Sequence, residues 1–241
     1  MKHIWLTAYI MAMVLAGARS ASAQDMQTAC KSLAVPTEAQ QFSLIQDAPT
    51  QILSAVVVPA KDGLPERCYV KGYITTHVQF AVMLPLANWN GKLLSSGCGG
   101  FCGSINGFDE NSKSPVSSDR VEGALKRGYA VTTTDMGHTG FGMDAKWAYN
   151  NLAGKFDFAY RATHVNILAA KAIVKVFYGK EQKYTYFSGC STGGRQGFME
   201  AQRFPDDFDG IIAGAGPLYY TTSGFHLLWS AMASVDADRK P

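Results

Sequence analysis

Charge is what this 241-residue sequence has least of: only 17% of its residues are Asp, Glu, Lys or Arg, and the net charge is +3. So small a balance supplies no basic stripe, and neither nucleic acid nor an anionic lipid surface is expected as a partner. Beyond the N-terminus no apolar run is long enough to cross a bilayer as a helix. Internal repeats, low-complexity tracts and long charge runs are missing too, which excludes solenoid and linker readings. Cysteine is sparse and odd in number, at Cys30, Cys68, Cys98, Cys102 and Cys190. Histidine is scarce where it matters most, because His226 is the only one after residue 191. What remains, 47% hydrophobic residues with 12% aromatics, is the composition of a packed globular domain.

The N-terminus carries a positive start at Met1-Lys2-His3, an apolar run from Ile4 to Ala16 and the small-residue stretch Ala21-Ser22-Ala23. That pattern predicts a secretory signal over residues 1–23, its apolar core too short for a spanning helix. Residues 24–241 are then the domain, with no membrane span after cleavage. Losing Lys2 and Arg19 lowers the net charge by two, to +1. The expected location is secreted or periplasmic, where disulfides persist.

The most informative stretch is Tyr184-Thr-Tyr-Phe-Ser-Gly-Cys-Ser-Thr-Gly-Gly-Arg195. Aromatic and β-favouring residues run into Gly189-Cys190-Ser191-Thr192-Gly193, and Gln196 to Phe204 has helix-forming composition. Strand, sharp turn and helix around G-x-S-x-G make a nucleophile elbow, in which the turn lifts the serine hydroxyl clear of the sheet. With 24 glycines in the chain the motif alone would be weak; the flanking elements give it meaning. Ser191 is the candidate nucleophile, and the backbone N–H of Thr192 the candidate donor to the oxyanion formed on attack at a carbonyl.

Gly-Cys-Ser-Thr-Gly-Gly-Arg-Gln-Gly, followed by Phe204-Pro-Asp-Asp-Phe-Asp-Gly-Ile211, closely resembles the tannase and feruloyl esterase family of α/β-hydrolases. Mono(hydroxyethyl)terephthalate hydrolase is a relative of the same kind. The resemblance implies a mostly parallel sheet with helices on both faces. It runs from about Cys30 to Trp229 and corresponds to the N-terminal part of a typical member, so the C-terminal strands and lid domain are expected to be missing. It also implies a bridge from the cysteine before the nucleophile to one directly after the catalytic histidine. Cys190 matches the first half of that device and has no partner here. Cys30 with Cys68 resembles a bridge near the family's N-terminus, and Cys98 with Cys102 would close a small loop. No cofactor and no metal ligand is expected, because the family's calcium site lies in the lid.

Taken in order, a short helix is expected around Cys30, then strands over 54–59, 68–75 and 78–84. Asn90-Gly91 is a strong turn signal before a strand over 92–96. The glycine-rich Gly97-Cys-Gly-Gly-Phe-Cys-Gly103 follows, where hydrolases of this fold place the second oxyanion donor. The N–H of Gly100 is the candidate, with Gly99 as the alternative. A helix over 119–127, a strand over 129–134 and the loop Asp135-Met136-Gly137-His138-Thr139-Gly140 come next. His138 reads as a loop residue bonded to nearby backbone, since the triad partners of such enzymes follow the serine. His164 falls on the apolar face of a helix over 160–178 and reads as a packing residue. Arg195 reads as a structural anchor, and 209–213 as a buried parallel strand.

A serine hydroxyl needs an adjacent base, and His226, in an apolar segment, is the sole downstream candidate. The expectation is a secreted serine carboxylic-ester hydrolase acting on small aromatic or phenolic esters through an acyl-enzyme on Ser191. As a truncated chain it would turn over poorly. The alternative from another class is a non-catalytic secreted domain that binds aromatic ligands.

Overall fold

The computed structural model describes residues 22–36, 40–105 and 115–235. Of the expected signal only Ser22 and Ala23 fall inside that set, at the start of helix α1 (Ala23–Ser32). Ser22 caps α1, its hydroxyl accepting from the Asp25 N–H while the Asp25 carboxylate accepts from the Ser22 N–H.

The centre is a seven-stranded sheet in the order β1-β2-β3-β5-β4-β6-β7. Strands β1 (Thr50–Val58), β2 (Arg67–Ile74) and β3 (Val78–Pro85) form an antiparallel meander. β3 then pairs antiparallel with β5 (Ala130–Thr134). From β5 onward, β4 (Lys92–Ser96), β6 (Tyr184–Cys190) and β7 (Gly210–Gly214) are all parallel. The change of direction sets the site, because the parallel strands bring their carboxyl ends, and the loops leaving them, to one edge.

Burial follows position in the sheet. β1 lies at one edge and alternates buried with exposed residues. Central β3, flanked by strands and covered on both faces, is buried almost throughout and reads as a continuous apolar run. On one face pack α1 and the long helix α4 (Ala162–Tyr178), which stops at left-handed Gly179. On the other lies α2 (Pro115–Lys126), whose Val121, Ala124 and Leu125 meet Tyr69, Ala81, Met83, Leu94 and Val131. The expected α/β architecture with helices on both faces is present.

Two expectations need correction. Residues 210–214 do form a parallel strand, but not a buried one: β7 is the last strand of the sheet, and Ile212 is 70% exposed. An apolar sequence reports the tendency to be covered; whether anything covers it is decided by neighbours. The helix expected from residue 160 begins earlier, with α3 (Leu152–Phe156) running through a π turn at Asp157–Arg161 into α4. Buried Asp157 pairs with Arg161 at 2.7 Å across that turn. The remaining helices, α5 (Thr192–Arg203) and α6 (Tyr220–Ala233), flank β7 in sequence.

Both expected disulfides form, Cys30 to Cys68 and Cys98 to Cys102, and Cys190 is free and exposed. No helix among the described residues is long and apolar enough to cross a membrane.

Candidate active site

β6 ends at Cys190 and α5 begins at Thr192, leaving one residue to make the turn. That residue is Ser191, held at φ 61° and ψ −121°, a conformation that non-glycine residues adopt only when the surroundings impose it. Its N–H donates to the Gly214 carbonyl at 3.0 Å and its carbonyl accepts from Arg195 at 3.1 Å. The side chain is exposed, and among the described residues its hydroxyl has no hydrogen-bond partner. The bend needs glycine at 189, where a Cβ would lie 2.4 Å from the Gly193 carbonyl oxygen, while a Cβ on Gly193 would press on the glycine-rich loop, 3.1 Å from the Cys98 carbonyl oxygen. Phe187, 1% exposed, anchors the strand below the turn.

Thr192 is the first residue of α5, so its N–H is among those a helix start leaves without an intrahelical acceptor. Its hydroxyl donates to the Gly100 carbonyl at 2.6 Å, tying the elbow to the glycine-rich loop after β4. Gly100 has φ +57°, and a Cβ there would sit 2.3 Å from the Gly142 carbonyl oxygen. The Gly100 N–H has no acceptor among the described residues. Gly99, the alternative donor, gives its carbonyl to the Cys102 N–H at 2.9 Å. The Cys98–Cys102 bridge closes this loop.

Sequence reasoning missed the residue that joins these parts. Gln196, one turn into α5 and 3% exposed, accepts from the Cys98 N–H at 3.1 Å and donates to Thr163 Oγ1 at 2.9 Å and Met136 Sδ at 2.8 Å. One amide thus links the elbow helix, the glycine-rich loop, the loop after β5 and α4. Gln196 lies inside the Gly-Cys-Ser-Thr-Gly-Gly-Arg-Gln-Gly stretch, but its partners come from distant segments that the stretch itself does not indicate.

Arg195 is the anchor that was expected. Its guanidinium donates to the carbonyls of Phe158 and Ala159 at 2.7 and 2.8 Å and lies over the Phe158 ring. Those carbonyls belong to the π turn. His138 is buried and stacked on Trp147, ring centroids 3.8 Å apart. Burial lowers its pKa, the Met136 and Phe101 backbone opposing. Asp135, in the same loop, is driven up to about 7 by burial, with the Asp157 carboxylate adding to the rise against the Gly137 and Gln79 N–H groups.

His164 packs as expected, stacked on Phe204, with Nδ1 2.6 Å from Asp207 Oδ2. Near it lies Glu200, whose pKa burial and then Asp207 push up to about 9. His226 is exposed on α6, and no histidine among the described residues is bonded to the Ser191 hydroxyl. The arrangement therefore offers a presented hydroxyl and backbone donors beside it, without an attached base.

Residues 66–241 match the family described as tannase and feruloyl esterase. The chain belongs to that family. It is 36% identical to feruloyl esterase B of Aspergillus niger over 163 residues, covering 67% of this chain and 29% of that protein. An uncharacterized esterase of Xanthomonas campestris pv. campestris is 33% identical over 231 residues, covering 92% of this chain and 36% of that protein. The chain therefore spans about a third of the length of these relatives. The crystal structure of feruloyl esterase B from Aspergillus oryzae superposes with a TM-score of 0.63 at 30% identity, over 79% of this chain and 37% of that one. Tannin acyl hydrolase from Aspergillus niger gives 0.54 at 26% identity, over 82% and 38%. In this tannase-family chain the sheet is thus that of an esterase fold.

Proposed function

We propose that this chain carries the nucleophile half of a secreted or periplasmic serine carboxylic-ester hydrolase acting on small esters of aromatic or phenolic acids. The observation that carries the reading is Ser191 at φ 61°, a strained turn between strand and helix that presents an unpartnered hydroxyl. Ser191 Oγ attacks the ester carbonyl, and the N–H groups of Thr192 and Gly100 receive the oxyanion. Collapse expels the leaving group, which takes up through water the proton that Ser191 gives up, and leaves the acyl group on Ser191, to be released by water. The substrate class follows from the names of the relatives, feruloyl esterase and tannin acyl hydrolase. Two disulfides fit an oxidising compartment.

The proton of Ser191 needs an acceptor, and losing the histidine of such a triad costs on the order of a millionfold in turnover in a serine protease. Both acylation and deacylation by these residues are expected to be slow, so the test is adduct formation with an ester whose good leaving group eases the first step. The purified chain is incubated with an activated aryl ester and its mass measured. An acyl adduct mapped to Ser191 and lost in Ser191→Ala supports the proposal. Saturable binding of a phenolic acid with no adduct would replace it with the ligand-binding reading.

A further inference from the structure

Behind the elbow, on the face of α5 turned toward α4, three donors of the kind that hold metal ions converge. They are His164 from α4, Glu200 from α5 and Asp207 from the turn before β7, with donor atoms all within 4.8 Å of one another. Glu200 is 0% exposed, and neither carboxylate oxygen has a hydrogen-bond partner. Asp207 lies beside it, close enough for a protonated Glu200 to donate to its carboxylate, and no other donor reaches the Glu200 oxygens. A buried carboxylate without partners is among the least tolerated groups in a protein interior. Protonation lets one Glu200 oxygen donate to Asp207 and leaves the other unbonded, whereas a cation between the three groups satisfies all of them. Lys171 does not fill this role, because its ammonium donates to the Asp207 backbone carbonyl at 2.8 Å.

We infer that His164, Glu200 and Asp207 form a site for one divalent transition-metal cation that pins α4, α5 and the turn before β7 together. One imidazole with two carboxylates suits a borderline cation such as Zn²⁺ better than Ca²⁺ or Mg²⁺, which favour all-oxygen sets. Bonds of about 2.0–2.2 Å reach the three donors with small side-chain adjustments. Access is past the imidazole, whose side chain is 19% exposed. The site is separate from the proposed ester chemistry, since none of its ligands belongs to the elbow turn or the glycine-rich loop.

The test uses the full chain stripped with a chelator and then given Zn²⁺ alone, followed by calorimetry and thermal unfolding. One Zn²⁺ per chain is expected, with a raised midpoint. Glu200→Gln and His164→Gln are each expected to weaken binding at least about tenfold. Should Glu200→Gln fail to fold, the partly exposed His164→Gln decides. Cys190→Ser, which removes the one free exposed thiol among the described residues, must leave binding intact. Stoichiometry well below one, loss of binding in Cys190→Ser, indifference to both ligand variants, or Ca²⁺ bound as tightly as Zn²⁺ would overturn the assignment.

Discussion

Replacing Asp135 with Asn should remove a pH dependence built into the loop beside the elbow. Asp135 is 2% exposed. Oδ1 accepts from the N–H groups of Gly137 at 2.8 Å and Gln79 at 3.0 Å, while Oδ2 has no partner. Asp157 faces it with Arg161 as its own counter-ion. Burial raises the Asp135 pKa from 3.8 to about 7, so the folded protein holds a proton that the unfolded chain releases. The stability this group contributes is complete below 3.8, falls as the pH rises through the interval up to about 7, and is level above it. At about 1.4 kcal/mol per pKa unit, the whole interval corresponds to about 4 kcal/mol. Asn is neutral at every pH, keeps the Oδ1 acceptor and differs from Asp only where no partner exists. Urea unfolding followed by tryptophan fluorescence measures the result. Between pH 4.5 and 6.5 the wild type should lose about 2–3 kcal/mol relative to Asp135→Asn, other titrations cancelling in the difference. A difference that stays constant over that range refutes the argument, because Asp135 would then titrate alike in both states.

Three further outcomes follow from the same geometry. Gly189→Ala, whose Cβ would meet backbone of Gly193 at 2.4 Å, should lower stability by about 1–3 kcal/mol or more and abolish the Ser191 adduct, read by denaturation midpoint and intact mass. Cys30→Ala with Cys68→Ala opens a bridge of sequence separation 38, against 4 for Cys98–Cys102. Loop-closure entropy then predicts losses of about 4 and about 2 kcal/mol respectively, compared by urea unfolding. Gln196→Leu leaves the Cys98 N–H without its acceptor and should cost about 1–3 kcal/mol, with faster amide exchange at Cys98 and weaker acylation of Ser191.

What could be read without coordinates was what local chemistry dictates. Ser191 stands out because a turn one residue long between strand and helix forces glycine at 189, and glycine at fixed spacing before a serine is visible in a sequence. Of the disulfides, Cys30–Cys68 is legible through the family resemblance, and Cys98–Cys102 only as two cysteines close enough in sequence to close a small loop. Arg195 was legible as an anchor, but not its acceptors, since the carbonyls of Phe158 and Ala159 lie on a π turn that no side-chain pattern announces.

Tertiary structure alone decided the rest. His164, Glu200 and Asp207 come from three separate segments and meet only when α4 packs on α5. Gln196 gains its importance from four elements converging on one amide. Ile212 is exposed because no described element covers its face of β7, although its sequence is that of a covered strand. Backbone conformation and spacing are short-range properties written in consecutive residues. Burial, pKa and donor convergence depend on which distant segments become neighbours, and that is settled only once the sheet is assembled.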